Sequence, residues 1–556
     1  MNTLKTKSIK DAVHGYIKVD EPFWRIIDTA EFQRLKWIEQ TSYRVLYPSA
    51  RHDRFIHSIG VFFLGQKAIN GLIANSSSAQ EAEIIDTFKD SFLLACLLHD
   101  IGHAPFSHTC EDLYNYQHKV SEIDSPINSE LLSELKVKLD QSEFDAFKND
   151  YRSILSPNGR APSEHEIMSA IITCTKFTTF SSFFGDNYSL SIDLIVRSIL
   201  GCTYENKRSD ASEINYQKGI KNCLIRLLNS SSVDVDKLDY IARDTKMSGY
   251  DNIVLDTERL LNSVCIVCHD NIYYPSFKKS ALSVINNVIL AKNLQAKWII
   301  NHPIVIYESY ILRRSIGETL KDYTFSVNGK SVSGDDLIKF IFSSKSLSKA
   351  GNKYINGTFS LLSDIDILNI MKQKMEISSV SEFFSRDERK KPIWKSNEEF
   401  LFCLGSIEKA REVSMFIAPL INYLNDIEDL SHPKQVDDTL YNEIKADDEI
   451  EGKEEILKIL DILNNYKEVI STTELNYVVL PAKNRFYAEM QSSKLYIKFN
   501  ETTDGYAAYE MFETKQTDDA VPKYKFFYIY SNKKLDSKHF LNYLYSAIHN
   551  VESVRI

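Results

Sequence analysis

Apolar residues in this chain gather into helix-length stretches, and three of these stretches carry groups with chemistry. One, Phe92-Leu93-Leu94-Ala95-Cys96-Leu97-Leu98, runs straight into His99-Asp100. An unbroken apolar run predicts a helix buried on all sides, so the polar groups at its end must be paired, protonated or bound. A second begins at Arg54-Phe55-Ile56-His57, with Ile59, Val61, Phe62, Phe63 and Leu64 around the histidine. The third, Ser232 to Asp244, mixes Asp234, Asp236, Asp239, Asp244, Lys237 and Arg243 with Val235, Leu238, Ile241 and Ala242 at helical spacing. Asp239 and Arg243, four apart, can pair along one face, and some of these carboxylates must be partly buried.

Weaker patterns fill in the rest. Ile17 and Val19 alternate with polar neighbours after Gly15, predicting a short extended element around a turn. Pro22 opens a helix whose apolar face is Phe23, Trp24, Ile26 and Ile27, and Asp28-Thr29 cap a second over Glu31 to Gln40. Ser42 to Arg54 is a basic loop with Arg44, Arg51 and Arg54. Ser163 and Glu166 form a capping box, which puts His165 in the first turn of a helix. Residues 283 to 320 read as one long helix kinked at Pro303. Near the C-terminus Tyr477 to Pro481, Lys494 to Phe499 and Tyr524 to Tyr530 are strand-like, and Leu535 to Val551 is helical in spacing. The expected fold is mainly α, a helical core with a small C-terminal α+β unit. Its divisions are 1–325 for the core, 326–460 for a helical extension with an acidic connection, and 461–556 for the C-terminal domain.

Bulk properties narrow the function. A chain of 556 residues exceeds what one hydrophobic core serves. Its net charge of -10 argues against a general electrostatic grip on nucleic acid, though a local cluster of Lys and Arg can still hold a small anion. Eight irregularly spaced cysteines suit a reducing compartment better than a disulfide framework. The first residues lack the apolar core of a signal peptide, and no uncharged apolar stretch reaches the roughly 18 residues that span a bilayer. A cytoplasmic protein without membrane contact is expected. Cys265-Ile266-Val267-Cys268-His269 has the spacing of a haem attachment site but lies in a strand-like segment, so its cysteines are read as core residues.

Imidazole and carboxylate are ligand types for a divalent ion such as Mn, Fe, Mg or Zn. His57, His99-Asp100 and a carboxylate of the 232–244 stretch come from separate helices, as ligands converging on one ion must. Gly102 and Pro105 break the helix and let the backbone turn His103 and His108 toward the same place.

Five ordered words carry a resemblance: Asp11-Ala12-Val13-His14-Gly15, Phe32-Gln33-Arg34-Leu35, Arg54-Phe55-Ile56-His57-Ser58-Ile59-Gly60, His99-Asp100-Ile101-Gly102-His103-Ala104-Pro105-Phe106-Ser107-His108, and Asp234 through Asp244. Over roughly residues 8 to 315 the chain resembles the HD phosphohydrolase superfamily. Within it the likeness is to the dNTP triphosphohydrolase branch, which contains the sterile-alpha-motif/HD enzymes and their bacterial relatives. The resemblance implies that His57, His99, Asp100 and Asp236 hold the metal. It places His103 and His165 near the scissile phosphate as proton donor or electrostatic stabiliser, with Glu111 where relatives use an aspartate. His108 would hold the triphosphate; Arg54, Lys237, Tyr240 and Asp244 would bind phosphates or orient the sugar; Gln40 would read a sugar hydroxyl. The implied reaction is attack on the α-phosphorus, giving nucleoside and triphosphate.

Departures lie on the 283–320 helix. Aligned on His302, the positions of the family's arginine and its tyrosine-glutamine pair hold Asn293, Ile300 and Asn301, with Lys292 or Lys297 as compensating cations. Asp28 and Gln33 match the family's nucleotide-activator site, where Lys36 replaces an arginine. A nucleotide activator and a homo-oligomer are therefore expectations from the resemblance. Two other functions compete: an HD phosphodiesterase or nuclease acting on a cyclic nucleotide or single-stranded DNA, and a nucleotide sensor without turnover.

Overall fold

The computed structural model describes residues 5–185, 188–206, 212–250, 254–327, 330–348, 360–425, 435–472, 474–482, 495–500, 505–508 and 525–549. Within them the fold is mainly α. A hairpin comes first, β1 (Thr6–Asp11) antiparallel to β2 (Gly15–Asp20), followed by α1 (Glu21–Ile27), which has proline in its first turn as expected. The helix expected over 31–40 is much shorter. α2 (Ala30–Gln33) gives way to a 3-10 turn at Arg34–Trp37, because the chain beyond it pairs with the next segment instead. Gln40 N–H donates to His52 O at 3.1 Å and Arg54 N–H to Ile38 O at 3.0 Å. The cap differs too: Thr29 is the N-cap residue, but its hydroxyl turns back to Ile26 O.

Helix α3 (Arg54–Ala74) starts where Asp53 accepts the N–H of Ile56 at 3.0 Å. α4 (Ala79–Leu98) starts at Ser78, which accepts from Glu81 N–H at 3.1 Å, and ends at the expected apolar run with His99 as its C-cap. α5 (Pro126–Lys136), α6 (Gln141–Leu155), α7 (Glu164–Ser182), α8 (Ile192–Leu200) and α9 (Glu213–Leu228) follow; α4 packs against α3, α8 and α9, and α7 against α5 and α8. α10 (Val235–Ser248) is capped by Asp234 through the N–H of Lys237 at 2.7 Å and packs on α3.

Two glycines make close approaches possible. A β-carbon on Gly60 of α3 would stand 2.0 Å from Asp239 Oδ1 on α10. One on Gly102 would stand 2.3 Å from the Ser169 nitrogen on α7, whose hydroxyl accepts the Gly102 N–H at 2.9 Å. Gly102 therefore does more than interrupt a helix: it seats the turn after His99 against α7.

α11 (Thr257–Asn262) leads to β3 (Val264–His269) and β4 (Ile272–Lys278), then to α12 (Leu282–Gln295). The long helix expected over 283–320 is broken rather than kinked. A π turn at Ala296–Ile300 follows α12, and α13 (Pro303–Asp322) begins afresh with Pro303 in its first turn and His302 as N-cap.

Two compact units divide the chain, each drawn from separated stretches. The first holds 1–295, 324–368 and 485–513; the second holds 296–323, 369–484 and 514–556. Residues 326–460 are thus shared between units. In the second, Phe527–Ser531 lies between Tyr477–Pro481 and Lys391–Pro392 in an antiparallel sheet. Helix Ser537–Ile548 contributes Phe540, Leu541 and Leu544 to the same core as these strands. Tyr496–Lys498, expected in that C-terminal group, instead adds parallel to β4 in the first unit, with Tyr506–Ala508 beyond it. Among the described residues no helix is long and apolar enough to cross a membrane. None of the eight cysteines forms a disulfide, and seven are buried, Cys265 among them; Cys268, expected in the core, is exposed.

Candidate active site

Three helices bring the expected metal ligands together. His57 sits in the first turn of α3, His99-Asp100 at the end of α4, and Asp236 in the first turn of α10. His57 Nε2 is 3.4 Å from His99 Nε2, 3.5 Å from Asp100 Oδ2 and 3.0 Å from Asp236 Oδ1. His99 Nε2 is 3.5 Å from both Asp100 Oδ1 and Asp236 Oδ1. Bonds of about 2.0–2.2 Å from a single ion would put neighbouring ligand atoms roughly 2.8–3.6 Å apart; His57, His99 and Asp100 converge closely enough to hold one divalent ion, and Asp236 Oδ1 lies beside both imidazoles.

Backbone and side-chain partners orient both imidazoles for that purpose. His99 Nδ1 lies 2.9 Å from Cys96 O and His57 Nδ1 2.7 Å from Asp239 Oδ2. These acceptors assign the ring protons to Nδ1 and leave each Nε2 lone pair facing the cluster. Asp239, fully buried, also faces His14 Nε2 at 2.6 Å and accepts from Arg243 Nε at 2.8 Å and Nη2 at 2.9 Å. Arg243 in turn donates to Asp11. Burial opposes charge on Asp239, but Arg243 and the two histidines hold its carboxyl well below the usual range. In the same way burial opposes a proton on His57, and Asp236, Asp239 and Asp100 overcome it to raise its pKa to about 9, so an ion binding at Nε2 would displace the proton held there.

A second group of side chains meets the first at Asp100. Arg54 Nη1 donates to Asp100 Oδ2 at 2.7 Å, and Asp100 Oδ1 is 3.3 Å from His103 Nε2 and 4.0 Å from His165 Nε2. Burial works against ionisation of Asp100, but the Arg54 guanidinium first, with the imidazoles of His99 and His103 beside it, keeps it well below the ordinary carboxylate range. Glu111 joins the other histidines through Oε2, 2.6 Å from His165 Nδ1 and 3.1 Å from His108 Nδ1. His103 and His165 stack with ring centroids 4.0 Å apart. Their charges diverge. Burial, with Arg54 and His165 adding to it, pushes His103 well below 6.5, whereas Glu111 outweighs burial and lifts His165 to about 9. One ring is neutral and its neighbour holds a proton, the usual sign of divided acid and base duties. The Glu166 half of the expected capping box sets His165 in place, accepting the Ser163 N–H at 2.8 Å.

Other expected residues have partners of their own. Gln40 is buried with Oε1 unpartnered, while its carbonyl accepts from Arg54 Nη2 at 3.4 Å. Lys237 Nζ donates to Asp234 and to Ser230 O. Tyr240 and Asp244 follow Asp236 at four-residue steps on α10. Lys292 Nζ donates to Tyr240 OH at 2.6 Å, and Asp244 accepts from Gln295 and faces His52. Of the two compensating cations, Lys292 thus joins this side of α10, and Lys297 pairs with Glu398. At the expected activator positions Asp28 pairs with Lys7, and Lys36 donates to Gln33. Asp239, His14, His52 and Gln295 were not singled out as site residues by sequence; of these Asp239 left a signal in its spacing from Arg243 and His14 in the 11–15 word, while His52 and Gln295 left none.

With this geometry in place, comparison with known proteins finds an HD domain in the chain. Residues 54–149 match the HD domain family. That match contains His57, His99, Asp100, His103, His108 and Glu111; His165 and Asp236 lie beyond it. The chain is 34% identical over 191 residues to an uncharacterized protein of Methanocaldococcus jannaschii, covering 32% of this chain and 39% of that one. It is 28% identical over 252 residues to deoxynucleoside triphosphate triphosphohydrolase SAMHD1 of Gallus gallus, 44% of this chain and 34% of that protein. The match to each of these relatives spans well under half of its length. A crystal structure of a hypothetical protein from Aquifex aeolicus shares the fold, with TM-score 0.51 at 16% identity over 97% of this chain and 100% of the other.

Proposed function

We propose that the chain is a metal-dependent phosphohydrolase that converts a (deoxy)nucleoside triphosphate to nucleoside and triphosphate. The observation that carries this reading is the shared position of Asp100. One carboxylate touches both the His/Asp ligand set and the Arg54, His103 and His165 group, so an ion and a phosphate would meet there. The similarity to SAMHD1 proteins supports the choice of substrate.

A divalent ion in the His57, His99, Asp100 and Asp236 set would supply charge neutralisation for phosphate oxygens and an acidified water. Arg54 would balance the charge that builds on the phosphates during attack. The water oxygen bonds to the α-phosphorus as the bond to the 5′-oxygen breaks. His165, already protonated through Glu111, gives its proton to that departing oxygen and recovers one from the attacking water. His103, neutral, with Nε2 beside Asp100 and Nδ1 making no hydrogen bond, would hydrogen-bond the phosphate. His108, exposed beside Arg54, would hold the outer phosphates.

The test is metal analysis joined to product identification. Purified chain supplied with Mn(II) or Fe(II) is expected to release triphosphate and nucleoside, and His99→Ala and Asp100→Ala are expected to lose both metal and turnover. Cleavage of a cyclic dinucleotide or single-stranded DNA, with no triphosphate released from any nucleotide, would replace this reading with the phosphodiesterase one.

A further inference from the structure

The helix Asp364–Lys372 lies far outside the HD match, yet its first residue reaches both backbone segments that frame the site. Asp364 is 4% exposed. Its Oδ2 accepts the Glu39 N–H at 2.9 Å and its Oδ1 the Phe106 N–H at 2.7 Å. These amides adjoin Gln40 and Ser107. Ser107 Oγ donates to Glu39 O at 2.6 Å and accepts from Arg54 Nε at 3.1 Å, and Arg54 continues to Gln40 O and to Asp100. A closed set of hydrogen bonds therefore joins Asp364 to a carboxylate of the metal set.

The turn it holds requires restraint. Phe106 and Ser107 have φ of 58° and 52°, the left-handed region that side chains with a β-carbon avoid. Arg34, 3% exposed, grips the same turn from beside Asp364. Its Nη1 donates to Leu362 O at 2.8 Å, and its Nη2 donates to Ile101 O at 2.8 Å and His103 O at 2.9 Å. The helix does not need Asp364 for its own start, because Asp366 accepts the N–H and the hydroxyl of Ser363 at 2.8 and 2.7 Å.

We infer that Asp364 is a positioning residue, a latch that holds the Phe106-Ser107 turn and the Glu39-Gln40 segment so that Arg54, Gln40 and His108 face the ligand. Only the identity of that ligand rests on the proposed nucleotide reaction. The test compares metal-loaded full-length Asp364→Ala and Asp366→Ala by hydrogen exchange over residues 36–41 and 99–110. Asp364→Ala is expected to speed exchange there roughly tenfold or more, with metal content unchanged and kcat/KM for the nucleotide down roughly tenfold to a hundredfold. Asp366→Ala, which weakens only the helix cap, is expected to leave both segments at the wild-type rate. If Asp364→Ala does not fold, Asp364→Asn, which keeps one acceptor oxygen, takes its place with a smaller shift in the same direction. Unchanged exchange in the Asp364 variant, or equal acceleration in both variants, overturns the latch. Should wild-type protein hydrolyse no nucleotide while the exchange difference holds, the proposed reaction fails and the latch stands.

Discussion

At the scale of single residues, Asp239 does the most for the site without facing it. It aligns His57, receives Arg243 and meets His14, so an amide there would present a donor to groups that are themselves donors. Asp239→Asn is expected to weaken metal binding about tenfold to a hundredfold, measured by competition with a chromogenic chelator; wild-type affinity would remove Asp239 from the site. Asp364 adds a pH dependence. Burial, with Glu39 beside it, raises its carboxyl to about 7, against the N–H groups of Glu39 and Phe106 and the charge of Arg34. The unfolded carboxyl loses its proton near the ordinary aspartate value of 3.8, so between there and about 7 the folded state binds more protons. Stability from this group is greatest below that window and falls as pH rises through it. Urea unfolding at a series of pH values is expected to show that decline in wild type and not in Asp364→Asn, by an amount on the order of a few kcal/mol; parallel profiles would contradict it.

At the scale of elements, the crossing of α3 over α10 depends on Gly60. Gly60→Ala would drive a methyl group into Asp239 and Arg243, and overpacking of this kind costs about 1–3 kcal/mol. Thermal unfolding should show a lowered Tm together with weaker metal binding, whereas an unchanged Tm would mean that the helices can part without loss. These helices were legible in the sequence because their signals are local: the 92–98 run, the apolar residues around His57 and the spacing of Val235, Leu238 and Ile241 each act within a turn or two, whereas the polar first half of α4, from Ala79, gave no such pattern. The same locality explains what was missed. The strand at Tyr496–Lys498 pairs with β4 more than 200 residues earlier, and no pattern within the segment tells one sheet from another. The helix expected over 31–40 was lost to backbone pairing with the 52–54 segment, and the break at Pro303 to a π turn that periodicity does not mark.

At the scale of the whole molecule, the ligand set was readable because its words are short and ordered, while the groups that support it come from far apart. His14 lies 225 residues from Asp239, and Phe106 lies 258 from Asp364. A site assembled from three helices exists only in the folded chain, so an ion that binds it must stabilise that chain. Adding Mn(II) to metal-free protein at about a hundred times its Kd is expected to contribute roughly 2.7 kcal/mol, seen as a rise in Tm that His99→Ala abolishes. The most direct test of the proposed reaction is hydrolysis of a nucleoside triphosphate by metal-loaded protein in ¹⁸O-labelled water, with both products examined by mass spectrometry. The expected result is one labelled oxygen in the released triphosphate and none in the nucleoside. Label in the nucleoside, or release of mono- or diphosphate in place of triphosphate, would contradict attack at the α-phosphorus.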